Sequence, residues 1–244
     1  MRYAVLSDVH GNLEAFQAAL KDVEDEGIES IVYLGDIVGY GANPKECLDL
    51  LRGKTQAIVA GNHDWGVTGK TDVRSFNAVA RAAIEWTISQ LDSNDKDFLD
   101  HLPLTDDTPS FTYTHSTPID PQNWNYILGE NEALENIKAL PSKSLCFVGH
   151  SHIPIAFELH GSGCLSKRTS LVKTVVNRER RFIINVGSVG QPRDGDPRAS
   201  YGIFDEDRSL FFLRRVEYDV VSAQRKILLA GLPPVLADRI GKGW

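Results

Sequence analysis

A chain of 244 residues can bury a sizeable core as one large α/β domain or two small ones, which excludes a stapled miniature scaffold. A hydrophobic share of 42%, a charged share of 24%, and 20 Gly and 11 Pro spread along the chain exclude disorder and collagen-like repeats. The 33 acidic and 26 basic side chains give a formal charge of -7, which repels a phosphate backbone at long range and speaks against nucleic-acid binding, while local cations or metal ions can still hold a small anion.

In chain order, the apolar run Tyr3 to Leu6 predicts a strand that ends in polar residues. Leu13, Phe16, Ala19, Leu20 and Val23 follow at helical spacing, with Asn12 as N-cap and Gly27 as stop. A strand over Ile31 to Leu34, a helix over Pro44 to Leu51 and a strand over Ala57 to Ala60 repeat the unit, which implies a largely parallel sheet with functional loops at the carboxyl ends of its strands. Helices are expected over Val73 to Leu91, Asp95 to Leu102 and Glu132 to Leu140, and strands over Phe111 to Thr114 and Leu145 to Val148. Short strands over Pro154 to Leu159, Leu171 to Val176, Phe182 to Val186, Tyr201 to Phe204 and Leu210 to Val216 suggest a second, antiparallel or mixed sheet. Ser222 to Leu229 reads as a helix that covers the sheet or makes an oligomer contact, and residues 1–244 read as a single domain with two packed sheets.

Cys47, Cys146 and Cys164 form no Cys-x-x-Cys pair, so the expected setting is a reducing cytoplasm, without disulfides or a thiolate zinc site. The first residues reach Asp8 too soon for a signal peptide, and no apolar run approaches the ~20 residues a membrane span requires. No membrane partner is expected.

Five polar clusters stand just beyond expected strands: Asp8 with His10; Asp36; Asn62, His63 and Asp64; His115; and His150 with His152. Five of the 7 histidines fall in them. Each cluster alone has an ordinary reading, as a helix cap, a turn residue or a hydrogen-bonded core histidine. Together they supply one site with the oxygen and nitrogen donors that suit manganese, iron, zinc, nickel or cobalt.

At this point the sequence resembles the calcineurin-like metallophosphoesterase superfamily, through Asp8-Val9-His10, Gly35-Asp36, Gly61-Asn62-His63-Asp64, His115 and Gly149-His150-Ser151-His152. Asn185-Val186-Gly187-Ser188 further resembles the Asn-Pro-Gly-Ser run of its small bacterial and archaeal phosphodiesterases, with Val186 in place of proline. The resemblance implies an α/β fold, a four-layer α/β/β/α sandwich of two mixed sheets with a dinuclear metal site at the strand ends. It implies two divalent transition-metal ions, manganese foremost, the first held by Asp8, His10, Asp36 and His152 and the second by Asp36, Asn62, His115 and His150. A hydroxide bridging the two ions would attack phosphorus in line. His63 would protonate the leaving oxygen, with Asp64 as its orienting partner.

One departure narrows the substrate. Gly35-Asp36 continues as Ile37-Val38-Gly39-Tyr40-Gly41, where Ser/Thr phosphatases and symmetrical diadenosine tetraphosphate hydrolases carry Asp-Arg-Gly, so the phosphate-contacting arginine of that branch is missing. Arg193, in the turn-rich stretch Gln191 to Arg198, is the candidate replacement for binding substrate. Pocket walls are expected from Asn43 to Glu46, Trp65 to Thr71, Ser116 to Tyr126 and Gln191 to Arg198. The expected function is hydrolysis of phosphoesters, foremost phosphodiesters, in a small molecule or nucleotide. The alternatives are a phosphomonoesterase of the same fold and a non-catalytic protein-binding scaffold, the latter opposed by His63 and Asp64, which a scaffold does not need. A nuclease would want a cationic groove with stacking aromatics, and the four tryptophans form no such stripe.

Overall fold

The computed structural model describes residues 1–140, 144–177 and 179–244. The first half runs β1 (Arg2–Leu6), α1 (Leu13–Asp25), β2 (Ser30–Tyr33), α2 (Pro44–Arg52), α3 (Asn62–Thr68), α4 (Ala78–Gln90) and α5 (Ser93–Asp100). The second half runs β3 (Thr105–Asp107), β4 (Thr112–Thr114), α6 (Glu130–Ala139), β5 (Leu145–Val148), β6 (Ile155–Leu159), β7 (Leu165–Arg168), β8 (Thr174–Val175), β9 (Arg181–Asn185), β10 (Ala199–Asp205), β11 (Leu210–Val216), α7 (Val220–Leu229) and α8 (Pro234–Lys242).

Side-chain alternation along the strands produces the layers. On β1, Ala4 and Leu6 join Phe16, Ala19 and Val23 of α1 and Leu48 of α2, whereas Tyr3 and Val5 face Phe111, Phe147, Phe182 and Phe204. On β5, Leu145 and Phe147 enter that same inter-sheet core, while Cys146 and Val148 pack with Ala133 and Ile137 of α6. Helices, two sheets and a further helix thus stack as four layers. Phe111 ties the sheets edge-on, with ring centroids 5.1 Å from Tyr3 and 5.0 Å from Phe147, and such pairs contribute ~0.5–1.5 kcal/mol beyond area burial.

The sheets run β2-β1-β10-β11-β8 and β3-β4-β5-β9-β6-β7. In the first, only β1 and β2 are parallel, so the expected largely parallel sheet is corrected: β10, β11 and β8 return antiparallel along the other side of β1. The third expected strand, Ala57 to Ala60, shrinks to one bridge between Tyr33 and Ile58: after Val59 N–H donates to the Tyr33 carbonyl, the next N–H on that side, Gly61, donates to Asp64 Oδ2 and not to β2. A parallel trio, β4-β5-β9, lies in the second sheet.

Several boundaries shift for local reasons. The helix expected from Val73 begins at Ala78, where the Asn77 side chain accepts from the N–H groups of Val79 and Ala80, and residues 73–75 form a separate 3₁₀ turn. The strand expected over Leu171 to Val176 contracts to β8. Beside β6 stands β7, a strand that was not expected, because its Ser166, Lys167 and Arg168 lack an apolar alternation. β3 (Thr-Asp-Asp) is an exposed charged edge, and α8, with Leu236, Ala237 and Ile240 buried against α7, was not expected. No helix among the described residues is long and apolar enough to cross a membrane.

Candidate active site

The carboxyl ends of β1, β2, β4 and β5 converge, and those of β1, β2 and β5 deliver their polar residues through a sharply turned backbone. Asp8 (φ 54°), His10 (50°), Asp36 (56°), His150 (65°) and His152 (60°) all occupy the left-handed region, which persists only where the surroundings over-determine it. The determinants are visible. Asp8 N–H donates to the Gly35 carbonyl and His10 N–H to the Asp36 carbonyl, each at 3.0 Å. His150 N–H donates to Asp8 Oδ2 at 3.1 Å, and Ser188 Oγ donates to the Asp8 carbonyl at 2.8 Å. Asn185 donates to the Gly149 carbonyl and to Ser151 Oγ, so the Asn185-Val186-Gly187-Ser188 run clamps the histidine loop against Asp8.

Tautomers define the donor set. His10 Nδ1 lies 3.1 Å from the Val38 carbonyl and His152 Nδ1 lies 2.5 Å from that of Gln191, so both Nδ1 atoms carry the proton and both Nε2 atoms present lone pairs. Those two Nε2 atoms face each other at 3.1 Å. His115 Nδ1 faces the Leu34 carbonyl at 2.7 Å and His150 Nε2 that of Trp124 at 2.8 Å, which leaves His115 Nε2 and His150 Nδ1 opposed at 3.2 Å. Asp36 Oδ2 lies 3.6 Å from His10 Nε2 and 3.3 Å from His115 Nε2, between the pairs. Asp8 Oδ1 lies 3.3 Å from His152 Nε2 and, though buried, has no hydrogen-bond partner. Asn62 Oδ1 stands 3.3 Å from His115 Nε2. Opposed lone pairs beside an orphaned carboxylate oxygen require positive charge, and this set of buried oxygen and nitrogen donors fits two divalent ions.

The titration behaviour states the same demand. Burial would lower the His115 imidazole, but the carboxylates of Asp36 and Asp8 outweigh it and raise it to about 9, the direction that an excess of buried negative charge produces. Burial, reinforced by His115, lowers His150 to about 3, and burial with Arg193 lowers His152 to about 4. Asp36 stays below the usual carboxylate range because His115 and His63 outweigh its burial.

His63 and Asp64 are both buried here, but they do not pair, which corrects the expected orienting contact. Neighbouring residues on a helix do not face each other. The Asp64 carboxylate accepts four backbone N–H groups instead: Asp36 (2.7 Å) and Gly61 (2.9 Å) on Oδ2, Ile37 (3.0 Å) and Val38 (3.3 Å) on Oδ1. It shapes the loop that carries Asp36. His63 Nδ1 is buried without a partner, and its neighbour is Gly39, at φ 88°, where a Cβ would lie 2.3 Å from that nitrogen. Burial lowers the His63 imidazole well below its ordinary range. Its ring packs 4.4 Å from Tyr40 and 4.8 Å from His10. His63 also comes close enough to His10 and Asp36 to form a third candidate donor group.

A cleft of about 330 Å³ opens over the donors. Arg193 lines it, tethered through its N–H to the His152 carbonyl and through its guanidinium to Gln191 Oε1 at 3.0 Å, and lies 5.8 Å from the centre of the Tyr40 ring. Thr71, Asn123, Trp124 and Tyr126 come from expected walls, whereas Asn43 to Glu46 do not line this cleft and Ser75, Phe76 and Asn77 do. Tyr126 stacks on His150 with ring centres 4.0 Å apart. Sequence reading missed Gly39. The signal was present in Gly39-Tyr40, where the phosphatase branch has Asp-Arg.

An α/β sandwich of two mixed sheets with carboxylate and imidazole donors gathered at converging strand ends is the architecture of a metal-dependent phosphoesterase. The chain belongs to the calcineurin-like phosphoesterase superfamily, whose domain matches residues 1–209. It is 39% identical to a metallophosphoesterase from Sphaerobacter thermophilus, with a TM-score of 0.88 and 100% of each chain covered. It is 41% identical to the Methanocaldococcus jannaschii protein MJ0912 over 98% of this chain and 97% of that one. It is also 27% identical to the phosphodiesterase YfcE of Escherichia coli, over 85% of this chain and 89% of that one. The likeness extends to the small bacterial and archaeal phosphodiesterase group.

Proposed function

We propose that this protein is a metal-dependent phosphodiesterase acting on a small molecule or nucleotide. The observation that carries the reading is the pair of opposed imidazole lone pairs on either side of Asp36, a donor set suited to two cations. Asp8, His10, Asp36 and His152 hold one ion, and Asp36, Asn62, His115 and His150 hold the other. When bound, such a pair acidifies a water and offsets negative charge on phosphate. Manganese is the first expectation among the divalent ions that mixed oxygen and nitrogen donors accept.

His63 lines the cleft, and its Nδ1 is buried against Gly39, so Nε2 is the nitrogen placed to give a proton to the leaving oxygen, once a bound anionic phosphate favours the imidazolium that burial alone disfavours. Asp64 acts by holding the Asp36 loop. Among the described residues lining the cleft, Arg193 is the one permanent cation. A diester carries one negative charge and a monoester up to two near neutral pH, so this lining favours the diester. The phosphodiesterase relative in Escherichia coli supports the same preference. We read all 244 residues as one domain, since α7 and α8 pack with residues of α4 and Tyr40. A cytoplasmic setting fits the free thiols of Cys47, Cys146 and Cys164.

The test compares kcat/KM for bis(p-nitrophenyl) phosphate and p-nitrophenyl phosphate with manganese supplied. The diester should be preferred, and Arg193→Ala should raise KM with little change in kcat. A clear preference for the monoester would make the protein a phosphatase.

A further inference from the structure

A second cleft, of about 560 Å³, adjoins the first across Tyr40, Tyr126 and Arg193, and its far wall is α8 with Trp244. This wall lies beyond residue 209, where the match to the superfamily domain ends. Arg239 and Lys242, in the last turn of α8, line the cleft together with Arg193. Among the described residues none of these three cations has a carboxylate partner, whereas Arg52, Arg74, Arg198, Arg214 and Arg215 are all paired. Asp238 is the acidic group on this wall, and among the described residues it too pairs with no cation. A cation near a helix C-terminus favours the helix dipole in any direction. Pointing into a cleft beside Arg193 is not something the dipole requires.

The backbone that carries the Trp244 indole is held in place as well. Gly243, at φ 70°, lies so close to the Arg193 loop that a Cβ would sit 2.7 Å from the Asp196 nitrogen. Gly195 N–H donates to the Gly243 carbonyl at 2.9 Å and Trp244 N–H to the Arg239 carbonyl at 3.2 Å. Trp244 is nonetheless 63% exposed, with Lys242 Nζ 4.6 Å from its ring centre. An uncovered indole on an anchored backbone, beside unpaired cations, offers a planar face next to anion donors.

We propose that this second cleft is a specificity subsite for the part of a nucleotide substrate beyond the scissile phosphate. Trp244 stacks on the base, and Arg239, with Lys242, binds a second phosphate group, while Arg193 stands between it and the scissile phosphate. The inference rests on the phosphodiesterase reading, which it narrows to nucleotides that carry an additional phosphate.

Isothermal titration calorimetry of the full chain with thymidine 3′,5′-bisphosphate and thymidine 5′-monophosphate, manganese supplied, tests it. The bisphosphate should bind about tenfold more tightly, the gain expected of one charge-assisted hydrogen bond. Arg239→Ala should bring the ratio close to one, and Arg239→Gln, which keeps the side-chain stem, should do the same. Trp244→Ala should weaken both nucleotides by a similar factor. Equal affinities in the wild type, or an unchanged ratio in the Arg239 variants, would overturn the phosphate assignment, and unchanged affinities in Trp244→Ala would overturn the base assignment. If the wild type discriminates as expected but cleaves no diester, the phosphodiesterase reading fails and the subsite stands. If it cleaves diesters and the ratio is one, the subsite fails alone.

Discussion

His63 and Gly39 form a lock that neither residue reveals alone. The imidazole fits because position 39 has no Cβ. His63→Ala should reduce turnover of an alkyl phosphodiester by ~10²–10⁴, the usual contribution of a general acid, and that of a nitrophenyl ester far less, because nitrophenolate departs unprotonated. Gly39→Ala should show the same dependence on leaving group, since the new methyl group overlaps the imidazole, together with a loss of stability from a φ of 88° that alanine rarely adopts. Equal losses for both leaving groups would assign His63 to positioning instead. Asp64 behaves differently. In Asp64→Asn one oxygen becomes an amide donor facing two backbone N–H groups, and each unsatisfied donor costs ~1–3 kcal/mol. Lower thermal stability together with weakened metal binding is expected. A variant with normal stability and lost acid catalysis would restore the His63–Asp64 pair. This distinction was illegible in sequence, because adjacency along the chain suggests a contact that helical geometry forbids.

At the scale of elements, the loops that carry the donors are held by helices pinned to one another. Asp95, buried in the capping box of α5, accepts from Lys45 Nζ at 3.1 Å and Arg52 at 2.9 Å, both on α2. Burial would raise its pKa, but the Lys45 and Arg52 hydrogen bonds and the Asp92 N–H prevail and lower it. A carboxylate held below its unfolded value of about 4 stabilises the fold above that pH and loses the contribution as pH falls through the folded value. Asp95→Asn should therefore melt below wild type at pH 7, and the gap should narrow as pH drops toward 3. A gap of constant size would show that the ion pairs do not carry the difference. The helices were legible where apolar spacing and caps agree, as in α1, whose Asn12 side chain accepts from Ala15 N–H at 3.2 Å. β3 and β7 were not, because edge strands with polar faces leave no period to read.

For the whole molecule, the metal donors were legible because each sits in a short motif at a strand end, and two packed sheets bring those ends together. What could not be read was the meeting of distant segments: Gly39 against His63, Arg193 over Tyr40, and α8 beside the Arg193 loop all depend on packing across the chain. Asp36 is the centre of the arrangement, with one oxygen accepting from His63 N–H at 2.8 Å and the other between the imidazole pairs. Two divalent ions sharing that carboxylate are the central claim. Its most direct test is titration of chelator-treated protein with manganese while bis(p-nitrophenyl) phosphate hydrolysis is followed. Turnover should rise to saturation at two equivalents per chain, and Asp36→Asn should show no such saturation. Full turnover at one equivalent, or without added metal, would contradict a dinuclear centre.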